Sequence, residues 1–408
     1  MDKDIIVTVL IVTYNHEEYI EDAIRGVLNQ KTEYRYEILI HDDASTDGTR
    51  SIIERYQKKY SGIIKTNFHL ENLFDKGMSA TAIDYEKIAG KYIALCDGDD
   101  YWTDAEKLQK QIEFLEDHPE YSMCIHNAEK FNCKTGEKKL LNTFPKSGTY
   151  DQKSQILAGI GTNFPASASY VMRRDLLTKI PAFFLKPRAL DYSLRQYLAS
   201  KGKVYYFEDV MSVYRVMTRN SYMKETTENR EFYNDYTIEM LKFFEEFNIY
   251  TDGKYQDIIQ NKLNSDYYGY CSSVDEMQGL KKAEKYRLDR EKIKKCYLQL
   301  NTEYLNPKIK ELCEHSANIY IYGTSRIAAV CQKQLDFAGI KYEGFVVSDG
   351  QQKADDINGW PVYWLGEVKK KHVDAGFILA VQPVNLLTIE SYLKSNKIKN
   401  YCTPYMLC

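Results

Sequence analysis

Residues 5–12 form a nearly continuous apolar run rich in β-branched side chains, the pattern of a strand covered on both faces. A turn at Thr13, Tyr14 and Asn15 follows. Tyr19, Ile20, Ala23, Ile24, Val27 and Leu28 then recur at helical spacing, and residues 36–40 give a second buried strand ending at Asp42 and Asp43. A polar stretch over 42–49 precedes a helix marked by Ile52, Ile53 and Tyr56, and a further strand over 92–96 runs into Asp97, Gly98, Asp99 and Asp100. This order of strand and helix predicts an α/β domain. Three of its strands end in polar, mostly acidic loops, and in open α/β sheets the carboxyl ends of strands face the ligand crevice.

The texture changes near residue 222. From there to about 316 the chain is dense in Glu, Lys, Tyr and Asn, with Tyr236, Met240, Phe243, Phe244 and Phe247 at helical spacing, which predicts a helical connector. A second βαβ pattern begins with the strand over 318–322, the turn Gly323-Thr324-Ser325-Arg326 and a helix from about Ile327. Strands over 342–347 and 375–381 and a helix near 386–393 complete it. The predicted organisation is therefore an α/β domain over 1–221, a helical connector over 222–316 and a small Rossmann-like α/β domain over 317–408.

Composition adds mostly exclusions. Of the 408 residues, 44% are apolar and 28% charged, which rules out fibrous and disordered classes. Fifty-five Lys and Arg against 58 Asp and Glu leave a net charge of -3, so no global field attracts nucleic acid. No apolar run approaches the ~20 residues that span a bilayer, and Met1 to Asp4 lack the basic start of a secretory signal. The expectation is a cytoplasmic chain that is not an integral membrane protein. Nine cysteines without a CxxC pair read as reduced thiols. Tyr and Lys abundance over 222–304 is compatible with docking at the inner face of the membrane or with a homo-oligomer.

The chemistry concentrates at Asp97-Gly98-Asp99-Asp100. Three carboxylates in four residues repel one another unless a cation neutralises them, and Mg²⁺ or Mn²⁺ suits one or two carboxylates plus phosphate oxygens. The competing reading is a solvated turn with helix-capping aspartates, Asp100 capping the helix that contains Leu108.

The sequence resembles bacterial family 2 glycosyltransferases of the GT-A fold, whose α/β domain binds a nucleotide sugar with a DxD-type metal motif. The resemblance rests on Val12-Thr13-Tyr14-Asn15, on residues 42–49, on residues 90–102 including the acidic cluster, and on the helix from Lys107 to His118-Pro119-Glu120, within about 5–216. It implies that Tyr14 and Asn15 line the base pocket and that Asp43 accepts a hydrogen bond from a uracil-like base. It implies further that Asp97 contacts the ribose or metal region, and that Asp99 is the main protein ligand of a Mn²⁺ or Mg²⁺ ion on the diphosphate. Asp191, within residues 188–195, resembles the family's catalytic aspartate. It would deprotonate the acceptor hydroxyl, its alternative being a cap for the helix through Leu194 and Leu198.

Some features depart from the family. Many relatives carry a histidine shortly after a YRV sequence, whereas Val216 is followed here by Met217-Thr218-Arg219, with Arg219 as a replacement charge. Between residues 72 and 84 only Lys76 is cationic. His126 reads as structural, and residues 159–170 as a border of the acceptor site.

The expected function is metal-dependent, inverting transfer of a sugar from a nucleoside diphosphate donor, a UDP-sugar, to a hydroxyl acceptor. That acceptor would be a glycan, lipid-linked or protein glycoconjugate of a bacterial surface. The alternatives are an inactive nucleotide-sugar-binding or scaffolding module and, with less support, nucleotidyl transfer. At Gly323-Thr324-Ser325-Arg326 the glycines of a GxGxxG turn are missing, so the last domain reads as a scaffold or assembly module before a nucleotide site.

Overall fold

A computed structural model describes residues 5–74, 85–142, 146–150, 164–187, 189–219, 224, 228–272, 274–301, 303–351, 353–381 and 383–404. The chain divides into two compact units, Met1–Glu246 and Phe247–Cys408. Lys76, Asn163 and Arg188 lie outside the described residues.

In the first unit, β1 (Val7–Thr13), α1 (Ile20–Leu28), β2 (Tyr36–Asp42), α2 (Thr49–Lys59), β3 (Ile64–Phe68) and β4 (Tyr92–Asp97) make the predicted α/β start. Next come β5 (Tyr101–Trp102), α3 (Lys107–Asp117), β6 (Tyr121–Asn132), β7 (Lys138–Leu140) and β8 (Gly148–Thr149). The unit continues with β9 (Val171–Arg173), α4 (Leu190–Lys201) and β10 (Lys203–Val216). The sheet has the order β3-β2-β1-β4-β9-β6-β10-β5, with β7 beside β6 and β8 beside β10. Strands β1 to β4 run parallel, whereas β9 is antiparallel to both β4 and β6. Val7, Val9 and Ile11 pack with Ile38, Ile40 and Ala94 against Ile20, Ile24 and Val27 of α1 and Leu108, Ile112 and Leu115 of α3. Leu10 points to the other face and is also fully buried, which explains why the strand reads as an unbroken apolar run. Each such buried side chain stabilises the fold by roughly 1.5–3 kcal/mol.

Strand β10 is continuous from Lys203 to Val216 although its alternation breaks midway. The register against β6 jumps between Phe207 and Val210, and Glu208, Asp209 and Val210 are exposed. A bulge lets these residues face solvent while the ladder resumes on either side.

The stretch 222–316 contains α5 (Arg230–Tyr250), α6 (Gln256–Cys271), α7 (Glu276–Tyr286), α8 (Arg290–Leu300) and α9 (Pro307–His315). Phe243 and Phe244 of α5 stack on Phe183, Phe184 and Tyr192 in the first unit. Tyr268 of α6 and Ile309 of α9 belong to a core of the second unit.

The second sheet contains β11 (Ile319–Tyr322), β12 (Gly344–Val347), β13 (Asp356–Ile357), β14 (Trp360–Trp364), β15 (Gly376–Leu379) and β16 (Tyr401–Cys402). Their order is β13-β14-β12-β11-β15-β16, parallel except for β13. The helices of this half are α10 (Arg326–Phe337), α11 (Leu365–Lys371) and α12 (Pro383–Ser395). Ile319 and Ile321 face Ala328, Cys331 and Leu335 of α10, while Tyr320 and Tyr322 face Leu365, Val368, Leu386 and Leu393 of α11 and α12. The two-residue strand period thus fills both faces of a doubly wound sheet.

Candidate active site

In the first sheet the strand order reverses at β1, with β2 on one side and β4 on the other, so the crevice expected of such a switch point lies beyond the ends of these strands. Val12 pairs with both His41 and Asp97, which brings the loops carrying Tyr14, Asp43 and Asp99 side by side.

Tyr14 and Asn15 occupy the bend after β1, both partly buried. Asn15 is left-handed with φ 54°, a conformation its short polar side chain tolerates better than most. Its Oδ1 accepts from Thr46 N–H at 2.7 Å, and its own N–H donates to Ser45 Oγ at 2.9 Å. Asn15 therefore clasps the β1 and β2 loops together. Asp43 is buried, and its two carboxylate oxygens accept from the N–H groups of Leu73 at 2.7 Å and Phe74 at 3.0 Å. Burial would raise its pKa, but His41 and these two donors outweigh that and hold the carboxyl below its usual range.

Asp97, Asp99 and Asp100 leave β4 in three directions. Asp97 Oδ2 accepts from Ser167 Oγ, and burial, then the charge of Asp99, lifts its pKa to about 7 against the opposing hydrogen bond. Asp99 Oδ2 accepts from Thr218 Oγ1 at 2.8 Å. Asp100 is not the helix cap the local sequence suggests. It is 1% exposed, its Oδ1 accepts from the backbone N–H of Arg215 at 2.8 Å, and Asp104 instead accepts from Glu106 N–H at the start of α3. Arg215 reinforces the same junction, donating Nη1 to the carbonyl of Asp99 at 3.0 Å and Nη2 to Asp22 at 2.6 Å.

Asp191 lies in the first turn of α4, two residues past the cap position held by Ala189. Burial raises its pKa while the buried guanidinium of Arg195, one turn on, opposes the rise. Its charge is felt at Asp97, and the Tyr214 phenol, raised well above its ordinary value by burial, responds to Asp100, Asp191, Asp99 and Asp97 together. The structure thus brings Asp97, Asp99 and Asp191 into one electrostatic neighbourhood around Tyr214. Asp43 and Asn15 flank the same strand ends through other contacts.

Sequence reading missed three residues here: Thr218 and Tyr214 at the end of β10, and His16 just beyond β1. Arg219, the expected replacement charge, is exposed, and Thr218 is the residue that reaches Asp99. The remaining signal for His16 was only its place after the first strand.

Among the described residues, no group of three His, Cys, Asp or Glu side chains forms a self-sufficient metal cage. An ion held by one or two carboxylates plus donor phosphates does not need one. The site fits such an ion on a different observation: Asp100 Oδ2, Thr13 Oγ1 and His16 Nδ1 are buried without a hydrogen-bond partner among the described residues, beside carboxylates whose pKa values are raised. No described helix is long and apolar enough to cross a membrane.

Residues 8–180 match the family model described as glycosyl transferase family 2. An uncharacterized protein of Mycobacterium tuberculosis is 33% identical over 228 residues, covering 55% of this chain and 63% of the relative. WfaP of Escherichia coli, a UDP-Glc:alpha-D-GlcNAc-diphosphoundecaprenol beta-1,3-glucosyltransferase, is 37% identical over 112 residues, covering 27% of this chain and 41% of the relative. The chain thus spans less than two thirds of the length of these curated relatives. Residues 1–349 of S. aureus TarS, solved in complex with UDP-GlcNAc, share the fold with a TM-score of 0.50 at 15% identity, over 87% of this chain and 98% of that one.

Proposed function

From the match of residues 8–180 to the glycosyl transferase family 2 model, we propose that the chain is an inverting, metal-assisted glycosyltransferase. It moves a sugar from a nucleoside diphosphate, UDP-linked, to a hydroxyl acceptor of a bacterial surface glycan or glycoconjugate. What supports this reading is that Asp97, Asp99 and Asp191 all lie within electrostatic reach of Tyr214, near the strand ends where the sheet order reverses.

Asp191 takes the acceptor proton. As the acceptor oxygen bonds to the anomeric carbon, its hydrogen passes to the Asp191 carboxylate, and the bond from that carbon to the diphosphate oxygen breaks with its electron pair leaving on the nucleoside diphosphate. A raised pKa makes Asp191 a better proton acceptor than an ordinary carboxylate, and Arg195 keeps it ionised until the acceptor binds. Asp99 holds the divalent cation, which when bound stabilises the charge on the departing diphosphate. Asp97 faces the ribose, Tyr14 offers its ring to the base, and Asp43 keeps lone pairs beyond its two backbone donors for an imide N–H. The UDP-linked donor and lipid-linked acceptor in the name of WfaP support that choice of substrates. Transfer is confined to the first unit, and the second serves as a scaffold or assembly module.

The test is a panel of nucleotide sugars incubated with the full chain and Mn²⁺ or Mg²⁺. Donor hydrolysis or transfer, highest with UDP-sugars, is expected. No turnover of any donor with either ion would overturn the proposal.

A further inference from the structure

His16 reaches the oxygen of Asp99 that Thr218 already touches. Its Nε2 lies 4.0 Å from Asp99 Oδ2, and the two side chains are only 12% and 14% exposed. That separation is too long for a hydrogen bond. A protonated imidazole free to pair would close to about 2.8 Å. Instead the gap can be spanned at a wide angle by an ion bonded to both atoms at about 2.1 Å each.

The position of the ring is enforced from behind. A Cβ at Gly98 would lie 2.6 Å from Thr13 Oγ1 and 2.9 Å from His16 Nδ1. Gly98 is not in the left-handed region, so glycine is needed there for space rather than for backbone freedom. The middle residue of the acidic cluster thus makes the room that lets the imidazole approach. The nearby guanidinium of Arg215 makes its hydrogen bonds to the carbonyl of Asp99 and the side chain of Asp22 and leaves the Asp99 carboxylate oxygens to other partners.

We propose that His16 is a second protein ligand of the divalent cation, sharing it with Asp99. This rests on the transferase reading above and sharpens it. An imidazole nitrogen in an oxygen set disfavours Mg²⁺, which demands oxygen ligands, and admits a transition ion such as Mn²⁺. His16 therefore sets metal preference.

The test uses the full, tag-free chain with Mn²⁺ and UDP, and reads the bound ion by electron spin-echo envelope modulation. The wild-type protein is expected to show ¹⁴N modulation from a coordinated imidazole. His16→Gln should abolish it and weaken Mn²⁺ binding at least about tenfold, with a smaller effect on Mg²⁺. Gly98→Ala should give the same loss while leaving both ligands in the sequence. Mn²⁺ binding that depends on Asp99 but carries no ¹⁴N modulation in the wild-type protein would overturn the assignment of His16 and leave the transferase reading standing. Absence of any Asp99-dependent Mn²⁺ binding would overturn both.

Discussion

The chain contains two α/β sheets, and their carboxyl-end loops are put to different use. Beyond β4, Asp97 and Asp100 have raised pKa values, and buried polar atoms of Thr13, His16 and Asp100 lack hydrogen-bond partners among the described residues. Beyond β12, Asp349 stands where a dinucleotide-binding sheet keeps its ribose acceptor, yet its oxygens accept from Gly366 N–H at 2.8 Å and Tyr392 Oη at 3.0 Å. Tyr322 and Ser348 bond to each other at 2.7 Å, and Ser325 Oγ donates to the carbonyl of Ala380 at 3.0 Å. The same kind of strand-end position therefore holds a poised set of groups in one unit and a satisfied set in the other. Position at a switch point marks where a ligand can bind, and unmet hydrogen-bonding and charge demand marks where one is needed.

Four substitutions press on that contrast. Asp191→Asn should reduce turnover by about 10²–10⁴-fold with an unchanged melting temperature, the range for a lost general base. Steady-state kinetics beside a thermal melt check it, and retained turnover would remove Asp191 from its role. Asp99→Asn should cost about 10²–10³-fold and abolish the Mn²⁺ dependence of the remaining rate.

Lys107→Met tests whether an orphaned buried group suffices to mark a site. Lys107 Nζ lies 3.9 Å from the Trp102 ring centroid with no hydrogen-bond partner among the described residues, and burial lowers its pKa to about 7. The unfolded chain binds this proton up to about pH 10.4. Between there and about pH 7 the unfolded state holds more protons, so the contribution is fully present at high pH and is lost as pH falls through that window. The variant should keep its turnover, melt higher at pH 7 by about 2–4 °C per kcal/mol gained, and gain less than wild type between pH 7 and pH 9. Scanning calorimetry at the two pH values decides it. The smallest effect is expected from Asp349→Asn: a melting temperature about 2–4 °C lower and an unchanged rate. A large loss of turnover there would give the second sheet an active part.

Strands β1, β2 and β4 of the first unit and β11, β12 and β15 of the second were legible because parallel, doubly covered strands leave continuous apolar runs, as at β1, and because the acidic cluster interrupts one of them at β4. Partners joined only by the fold were not. Asp100 looked like a cap because its neighbours in sequence include a helix start, whereas its backbone partner Arg215 is 115 residues away. Thr218 reaches Asp99 across 119 residues, and a threonine after a strand announces nothing by itself. The bulge at Glu208 and Asp209 hid the continuity of β10, because its alternation breaks where the register shifts.

The bond from Arg215 to Asp100 bears on how mutational scans of this region are read. Asp100 carries the last turns of β10, and with them Thr218 and Tyr214, so truncating it to alanine would lower yield by depleting correctly assembled molecules rather than by slowing each one. Active-site titration, which counts competent molecules before dividing, would separate that defect from the loss of Asp99: neighbours in the chain, one a strut and the other a tool.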